Sequence, residues 1–252
     1  MLIGDVLTIR DGELVDRENF GSTAAAWRPR DGGKFAVAAD RGFVLVDVDG
    51  GREIVGPLWD ETDVRMNEGG CSPDGSFYCG SMEHDAEIGR GRLWRLAPDR
   101  TCTVVLDGLT ISNGLAFTGD GSRAYFIDTP THRVDVLTFS SPGVVADRRV
   151  FADLAAVPGQ PDGLTVDADG GVWVAMWGGG SICGIDPDGA LAHVVTVPVS
   201  QPSAVCFGAA GSDELFITTS RYRLDDTAEP QAGSVFVASV GARGAPVLPY
   251  AG

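Results

Sequence analysis

Three oxygen-bearing side chains recur at one spacing in this sequence. Asn67, Asn113 and Asp162 each stand seven residues before the aspartate of an Asp-Gly pair. Carboxylate and carboxamide oxygens are the ligands that hard divalent cations prefer. Glycine follows Asn113 and Asp162 directly, which leaves room for a backbone or a ligand to come close. If the fold brings these positions together, the pattern predicts a cation site.

Hairpin turns are the alternative interpretation, because Asn-Gly and Asp-Gly are common turn pairs. Each of the three segments already has its own turn seven residues later, however, and a strand pattern such as LAFT follows Asn113-Gly114 directly. The spacing therefore favours a site. Arg65 lies two residues before Asn67, on the same side of an extended chain, and is a candidate for binding substrate oxygens. A solvated surface arginine is the common alternative.

Other catalytic patterns are weak. The three histidines, His84, His132 and His193, are scattered and show no spacing typical of structural zinc sites. The sequence has no Gly-x-Ser-x-Gly motif, so it lacks the mark of a serine hydrolase.

The elements that would position these residues follow from a repeat of turns. Successive turns are separated by 43, 46, 49 and 42 residues and are marked by Asp31, Asp74, Asp120, Asp169 and Gly211. A strand with alternating apolar positions flanks each turn, and most repeats have room for a second hairpin. Four strands in each 40–50 residues are typical of a β-propeller. A β-sandwich or barrel with coincidental turn spacing is the alternative.

The number of repeats leaves the closure of the propeller open. Five repeats are visible, and residues 1–20 supply one more hairpin, which is half a blade. We expect a six-bladed propeller that lacks the opening strands of its first blade, with a five-bladed ring plus an extra hairpin as the alternative. No linker stands out, so a single domain over residues 1–252 is predicted. The oligomeric state is not predicted.

Composition excludes several partners. The 252 residues carry 35 acidic and 19 basic side chains, a formal net charge of −16, which disfavours nucleic acid and anionic membranes. The sequence contains neither a membrane-spanning apolar run nor a segment that resembles a signal peptide. The five cysteines form no CxxC pair, so we expect reduced thiols and a cytoplasmic location.

The motifs around these residues resemble one family. The run R-M-N-E from Arg65, followed by SPDGSFYCGSM, is similar to the R-F-N-D…G…G-T-M segment of the SMP-30/gluconolactonase/LRE family, also called regucalcin-like. Ser112-Asn113-Gly114-Leu115 with YFIDT resembles its S-N-G-L…Y-x-x-D-S stretch. Pro161-Asp162-Gly163 with GGVWVAMWGGG resembles its P-D-G…W-V-A segment. The likeness runs from about residue 20 to the end.

The resemblance implies a fold, a cofactor and a reaction. It implies a six-bladed propeller with one divalent metal ion, calcium or zinc, with manganese and magnesium as alternatives. It implies a hydrolase that opens sugar lactones to aldonic acids. By matched motif, Asn113 and Asp162 are metal ligands and Asp162 is also the general acid/base. The resemblance also implies that Arg65 and Asn67 would hold substrate hydroxyls and that Asp85 would be a further substrate contact.

One departure from the family bears on activity. The family's third protein ligand is a glutamate in an E-G-P-x-W segment, and that segment does not occur in this sequence. The alternative hypothesis is therefore a non-catalytic or impaired propeller that binds metal or sugar without turnover.

Overall fold

The computed structural model describes residues 3–225 and 227–252. Within them the regular elements are β-strands, apart from one three-residue 3-10 turn at Thr129–Thr131. The chain divides into two compact units. The first runs to Ser112 and also takes Ser141–Val144 and Leu248–Gly252, and the second takes Asn113–Ser140 and Val145–Val247. The predicted single domain stays a prediction.

The first unit contains three antiparallel sheets whose strands follow chain order. Their strands are β1 (Asp5–Arg10) with β2 (Glu13–Asn19); β3 (Ala24–Pro29), β4 (Phe35–Ala39), β5 (Gly42–Val46) and β6 (Arg52–Val55); and β7 (Val64–Cys71), β8 (Phe77–Glu83), β9 (Gly91–Leu96) and β10 (Cys102–Leu109).

The described residues of the second unit form three more antiparallel sheets. Ser112 and the hairpin tip Ser141–Val144 belong to one of these sheets but are assigned to the first unit. Their strands are β11 (Ser112–Phe117), β12 (Arg123–Asp128), β13 (Arg133–Ser141) and β14 (Val144–Asp153); β15 (Gln160–Val166), β16 (Val172–Trp177), β17 (Ser181–Ile185) and β18 (Leu191–Thr196); and β19 (Pro202–Phe207), β20 (Glu214–Thr219) and β21 (Val235–Ser239).

The predicted turn positions are confirmed. Each of the five markers lies in the connection between the first and second strands of a four- or three-stranded sheet. The β11–β12 turn shows why: Asp120 Oδ1 accepts hydrogen bonds from the Thr118 hydroxyl (2.6 Å) and the Ser122 amide (3.1 Å). Gly121 follows at a φ of +69°, a conformation that favours glycine.

The six-blade prediction is not confirmed. The described residues form five sheets of three or four strands and one two-stranded sheet, β1–β2. The opening hairpin was predicted correctly, and its two strands pair only with each other among the described residues. Its being half of a sixth blade stays a prediction.

Each unit has its own apolar core. Middle strands such as β4, β8 and β17 are wholly buried, whereas β6 and β18 are mostly exposed. The core of the first unit lies between the sheets that begin with β3 and β7, and it includes Tyr250, whose hydroxyl donates to the Ala97 carbonyl (2.9 Å). The described part of the chain has no helix long and apolar enough to cross a membrane.

Candidate functional site

The three polar positions lie within strands, not ahead of them as the sequence predicted. Asn67 is the fourth residue of β7, Asn113 the second of β11 and Asp162 the third of β15. In β7 and β15 strand pairing begins before the polar residue, and an irregular step at that residue interrupts it.

These irregular steps are β-bulges. In β15 the pairs Pro161–Met176 and Leu164–Val174 leave Asp162 and Gly163 opposite one residue, Ala175. In β7, Asn67 and Glu68 likewise lie opposite Gly80 alone. A bulge bends its strand and redirects the side chains that it carries, and bulges are common beside active sites.

A threonine hydroxyl connects the start of β11 to the start of β15. Asn113 is buried, and its Nδ2 donates to Thr129 Oγ1 over 2.9 Å. The Thr129 hydroxyl in turn donates to the carbonyl of Pro161, the residue before Asp162, over 2.8 Å. The first bond sets the orientation of the amide, so Oδ1 is directed away from Thr129 and is the atom of Asn113 that suits a cation.

Glycines allow the first strands of the second unit to approach closely. A Cβ on Gly114 would lie 2.8 Å from the Asp162 carbonyl oxygen, and a Cβ on Gly163 would lie 2.8 Å from Ala204 Cα. Real Cβ atoms essentially never make contacts that short. Asn113 and Asp162 therefore lie on backbones that only glycine lets come together at this point.

The oxygen atoms of Asn113 and Asp162 are of the type that hard divalent cations bind. Asn113 supplies an amide oxygen and the half-buried Asp162 supplies a carboxylate, whereas calcium takes six to eight oxygen ligands. No group of three or more His, Cys, Asp or Glu suited to a metal occurs among the residues that the structure describes. In donor chemistry the two side chains suit such a cation, and water or substrate would supply most of its coordination.

Arg65 and Asn67 are in contact in the first unit. Arg65 Nη1 donates to Asn67 Oδ1 over 2.8 Å and to the Met66 carbonyl over 2.9 Å, so the two side chains share one side of β7 as expected. Asn67 is buried, and its Nδ2 donates to the Ser112 carbonyl over 3.0 Å.

Asp85 lies in an exposed turn after β8. Its backbone amide donates to Glu83 Oε2 over 2.7 Å, and the Glu87 amide donates to the same oxygen over 3.1 Å. The buried Glu83 therefore holds the turn, and Asp85 presents its carboxylate at the surface. Its predicted role as a substrate contact stays a prediction.

Sequence reasoning missed Thr129 as a site residue. Thr129 stood in the quoted motif YFIDT, and that position was the signal available. Glu68 shares the β7 bulge with Asn67. Burial raises the pKa of Glu68, although the nearby Arg28 guanidinium and the Gly69 amide oppose the rise.

Comparisons with known proteins find relatives of this chain. Residues 10–221 match the family model of the SMP-30/Gluconolactonase/LRE-like region. The chain is 38% identical to L-arabinolactonase of Azospirillum brasilense over 76% of its own length and 65% of that protein, which is less than two thirds. It is 36% identical to pentonolactonase XacC of Haloferax volcanii over 86% of this chain and 76% of that protein.

A solved structure supports the fold. A calcium-binding protein, regucalcin, from Agrobacterium tumefaciens superposes with a TM-score of 0.88 at 28% identity and covers 95% of this chain and 83% of that one. Together with the antiparallel sheets in chain order, this likeness confirms the predicted all-β propeller fold.

Proposed function

Because the chain belongs to the SMP-30/gluconolactonase/LRE-like family, we propose that it hydrolyses sugar lactones to aldonic acids. The cofactor is one divalent cation, calcium or zinc, with manganese and magnesium as alternatives. Two relatives that are named as lactonases, of L-arabinolactone and of pentonolactones, support a small sugar lactone as the substrate. The relative named as a calcium-binding protein supports the cation.

The arrangement around Thr129 carries the proposal. Its hydroxyl accepts from Asn113 and donates to the carbonyl just before Asp162, so one side chain sets both positions. A divalent cation held by Asn113 and Asp162 would polarise the lactone carbonyl and make water more acidic beside it.

The protein's own contribution to the reaction is proton transfer by Asp162. Its carboxylate accepts a proton from the water that attacks the lactone carbonyl carbon. When the bond between that carbon and the ring oxygen breaks, Asp162 returns the proton to the ring oxygen, which becomes a hydroxyl. This return of the proton leaves Asp162 ionised as it began, and the new carboxylic acid then loses its own proton to solvent.

Three further side chains are proposed to bind the substrate. Arg65 and Asn67 offer guanidinium and amide donors on one side of β7, a chemistry that suits sugar hydroxyls. Asp85 offers a carboxylate acceptor at the surface.

A non-catalytic or impaired propeller is the second candidate. The observation that favours it is the small donor set: one carboxylate and one amide, with no cluster of three acidic, histidine or cysteine ligands in the described residues. A cation held by so few protein ligands binds weakly, because both charge and coordination number are low.

Substitution of Asp162 separates the two candidates. In a pH-stat assay with gluconolactone and L-arabinolactone, Asp162→Asn is expected to lower kcat by at least about 100-fold, the scale of a lost general acid/base. Asp169→Asn, in the turn seven residues on, is the matched control and should keep its activity. Equal turnover by wild type and Asp162→Asn would refute the assignment, and no turnover by wild type would favour the second candidate.

A six-bladed plan and a cytoplasmic location are also proposed. A six-bladed plan is supported by the two-stranded β1–β2 sheet, which is half the size of the four-stranded sheets. A reducing, cytoplasmic environment is supported by the five cysteines, which are free thiols in the described part of the chain.

A further inference from the structure

The first unit contains a cavity of about 430 Å³ beside Arg65. It is lined by residues at the ends of strands: those just before β3 and β7 and those just after β4 and β8. Its volume lies within the range of about 300–1,000 Å³ that is typical of small-molecule sites.

An apolar floor and a polar rim line this cavity. Phe43 and Phe20, both buried, belong to the floor. The rim carries the hydroxyls of Ser22 and Thr62 and four residues with ionisable or charged side chains. Those four are Asp40, Arg41, Arg65 and His84.

Arg41 is a half-buried cation without a carboxylate partner in the part of the chain that is described. Its Nη1 donates to two backbone carbonyls between β6 and β7, that of Trp59 over 3.2 Å and that of Asp60 over 2.8 Å. These bonds hold the guanidinium in place without neutralising its charge.

The one carboxylate in the rim is already engaged. Asp40 Oδ1 accepts from the Ser22 amide (3.0 Å), the Ser22 hydroxyl (2.7 Å) and the Thr23 amide (2.8 Å). With Arg41 and Arg65 positive and Asp40 negative, the rim has one net positive charge when His84 is neutral. A single negative charge complements it.

We infer that this cavity binds a hydroxylated carboxylate, with the carboxylate on the Arg41 guanidinium. Guanidinium and carboxylate match in charge and geometry. The rim hydroxyls suit sugar hydroxyls, and the apolar floor suits the C–H face of the carbon chain. An aldonate has this chemistry, and its choice as ligand rests on the proposed function, because lactone hydrolysis would release it.

Calorimetric titration of the full chain tests this inference. Gluconate is expected to bind at least about tenfold more tightly than sorbitol, its neutral counterpart, and more tightly than inorganic phosphate. Arg41→Gln should weaken gluconate binding at least about tenfold, the scale of a hydrogen bond to a charged group. Arg92→Gln, which removes an exposed ion pair to Asp107 in the same unit, is the matched control and should bind as wild type does.

Three outcomes would overturn the inference: equal affinity for gluconate and sorbitol, tighter binding of phosphate than of gluconate, or unchanged affinity in Arg41→Gln. Should Arg41→Gln fail to fold, two other measurements decide. One is the comparison of ligands on the wild-type protein, and the other is the variant His84→Gln, which is expected to bind gluconate more weakly. Gluconate binding that depends on Arg41 but persists in Asp162→Asn would support this site even if no lactonase activity were found.

Discussion

One hydroxyl group sets the orientation of the Asn113 side chain. Thr129 lies in the short 3-10 turn after β12, where its Oγ1 meets both Asn113 Nδ2 and the Pro161 carbonyl. Loss of that acceptor removes a bond that directs Asn113 Nδ2 towards Thr129 and Oδ1 away from it. Residues that orient a ligand typically change metal affinity by about 10–100-fold when they are lost.

Replacement of Thr129 by valine is therefore expected to weaken divalent-cation binding about tenfold while the fold is kept. Thr129→Ser should restore the affinity, because it keeps the hydroxyl. Thr131→Val, in the same turn, loses only a bond to the Asp128 carbonyl and serves as the control. Calcium titration calorimetry measures all three, and equal affinities in wild type and Thr129→Val would contradict this role.

Part of the site was predictable from residue types and spacing. Asn67, Asn113 and Asp162 do occupy equivalent strands, and Arg65 does contact Asn67. Neither the bulges nor Thr129 was predicted, because a bulge depends on the register of two strands and Thr129 acts across 16 residues on one side and 32 on the other.

Among the elements, the first strands of the sheets in the second unit pack closely at Gly114 and Gly163, where a Cβ atom would have no space. Gly163 lies in the β15 bulge, where an added Cβ would come within 2.8 Å of Ala204 Cβ and 2.9 Å of the Ser203 carbonyl oxygen. Both neighbours belong to β19, so relief requires a backbone shift.

Gly163→Ala is expected to lower the free energy of unfolding by about 1–3 kcal/mol, the usual cost of overpacking. The control is Gly119→Ala in the β11–β12 turn, where an added Cβ has nothing within 4 Å. Urea denaturation followed by fluorescence compares the two. A Gly163→Ala protein as stable as Gly119→Ala would show that β15 and β19 are less closely packed than described.

The β11–β12 turn is expected to make the free energy of unfolding depend on pH in the acid range. Hydrogen bonds from Thr118 and Ser122 lower the pKa of Asp120 from 3.8 to about 2. Because the folded protein favours the ionised form, the contribution of Asp120 is complete above about pH 4 and is lost as the pH falls towards 2.

The difference in stability between wild type and Asp120→Ala should therefore shrink as the pH is lowered from 5 to about 2.5. Urea unfolding at a series of pH values measures it. A difference that stays constant over this range would mean that the Asp120 carboxylate does not make these bonds in solution.

At the scale of the molecule, the repeat of turns was enough to predict an all-β propeller, since Asp and Gly residues define turns locally. The number of blades was not predictable in the same way. Whether β1 and β2 belong to a larger sheet depends on which strand lies beside them, and their own sequence does not specify that partner. The local pattern identified the hairpin and no more.

We propose above all that this chain opens sugar lactones with a divalent cation held by Asn113 and Asp162. The most direct measurement is the rate of gluconolactone and L-arabinolactone hydrolysis by the full chain after treatment with EDTA, followed by addition of calcium, zinc or manganese. We predict that chelation abolishes turnover and that at least one of these ions restores it. Full activity in EDTA, or no activity with any of the ions, would contradict the account.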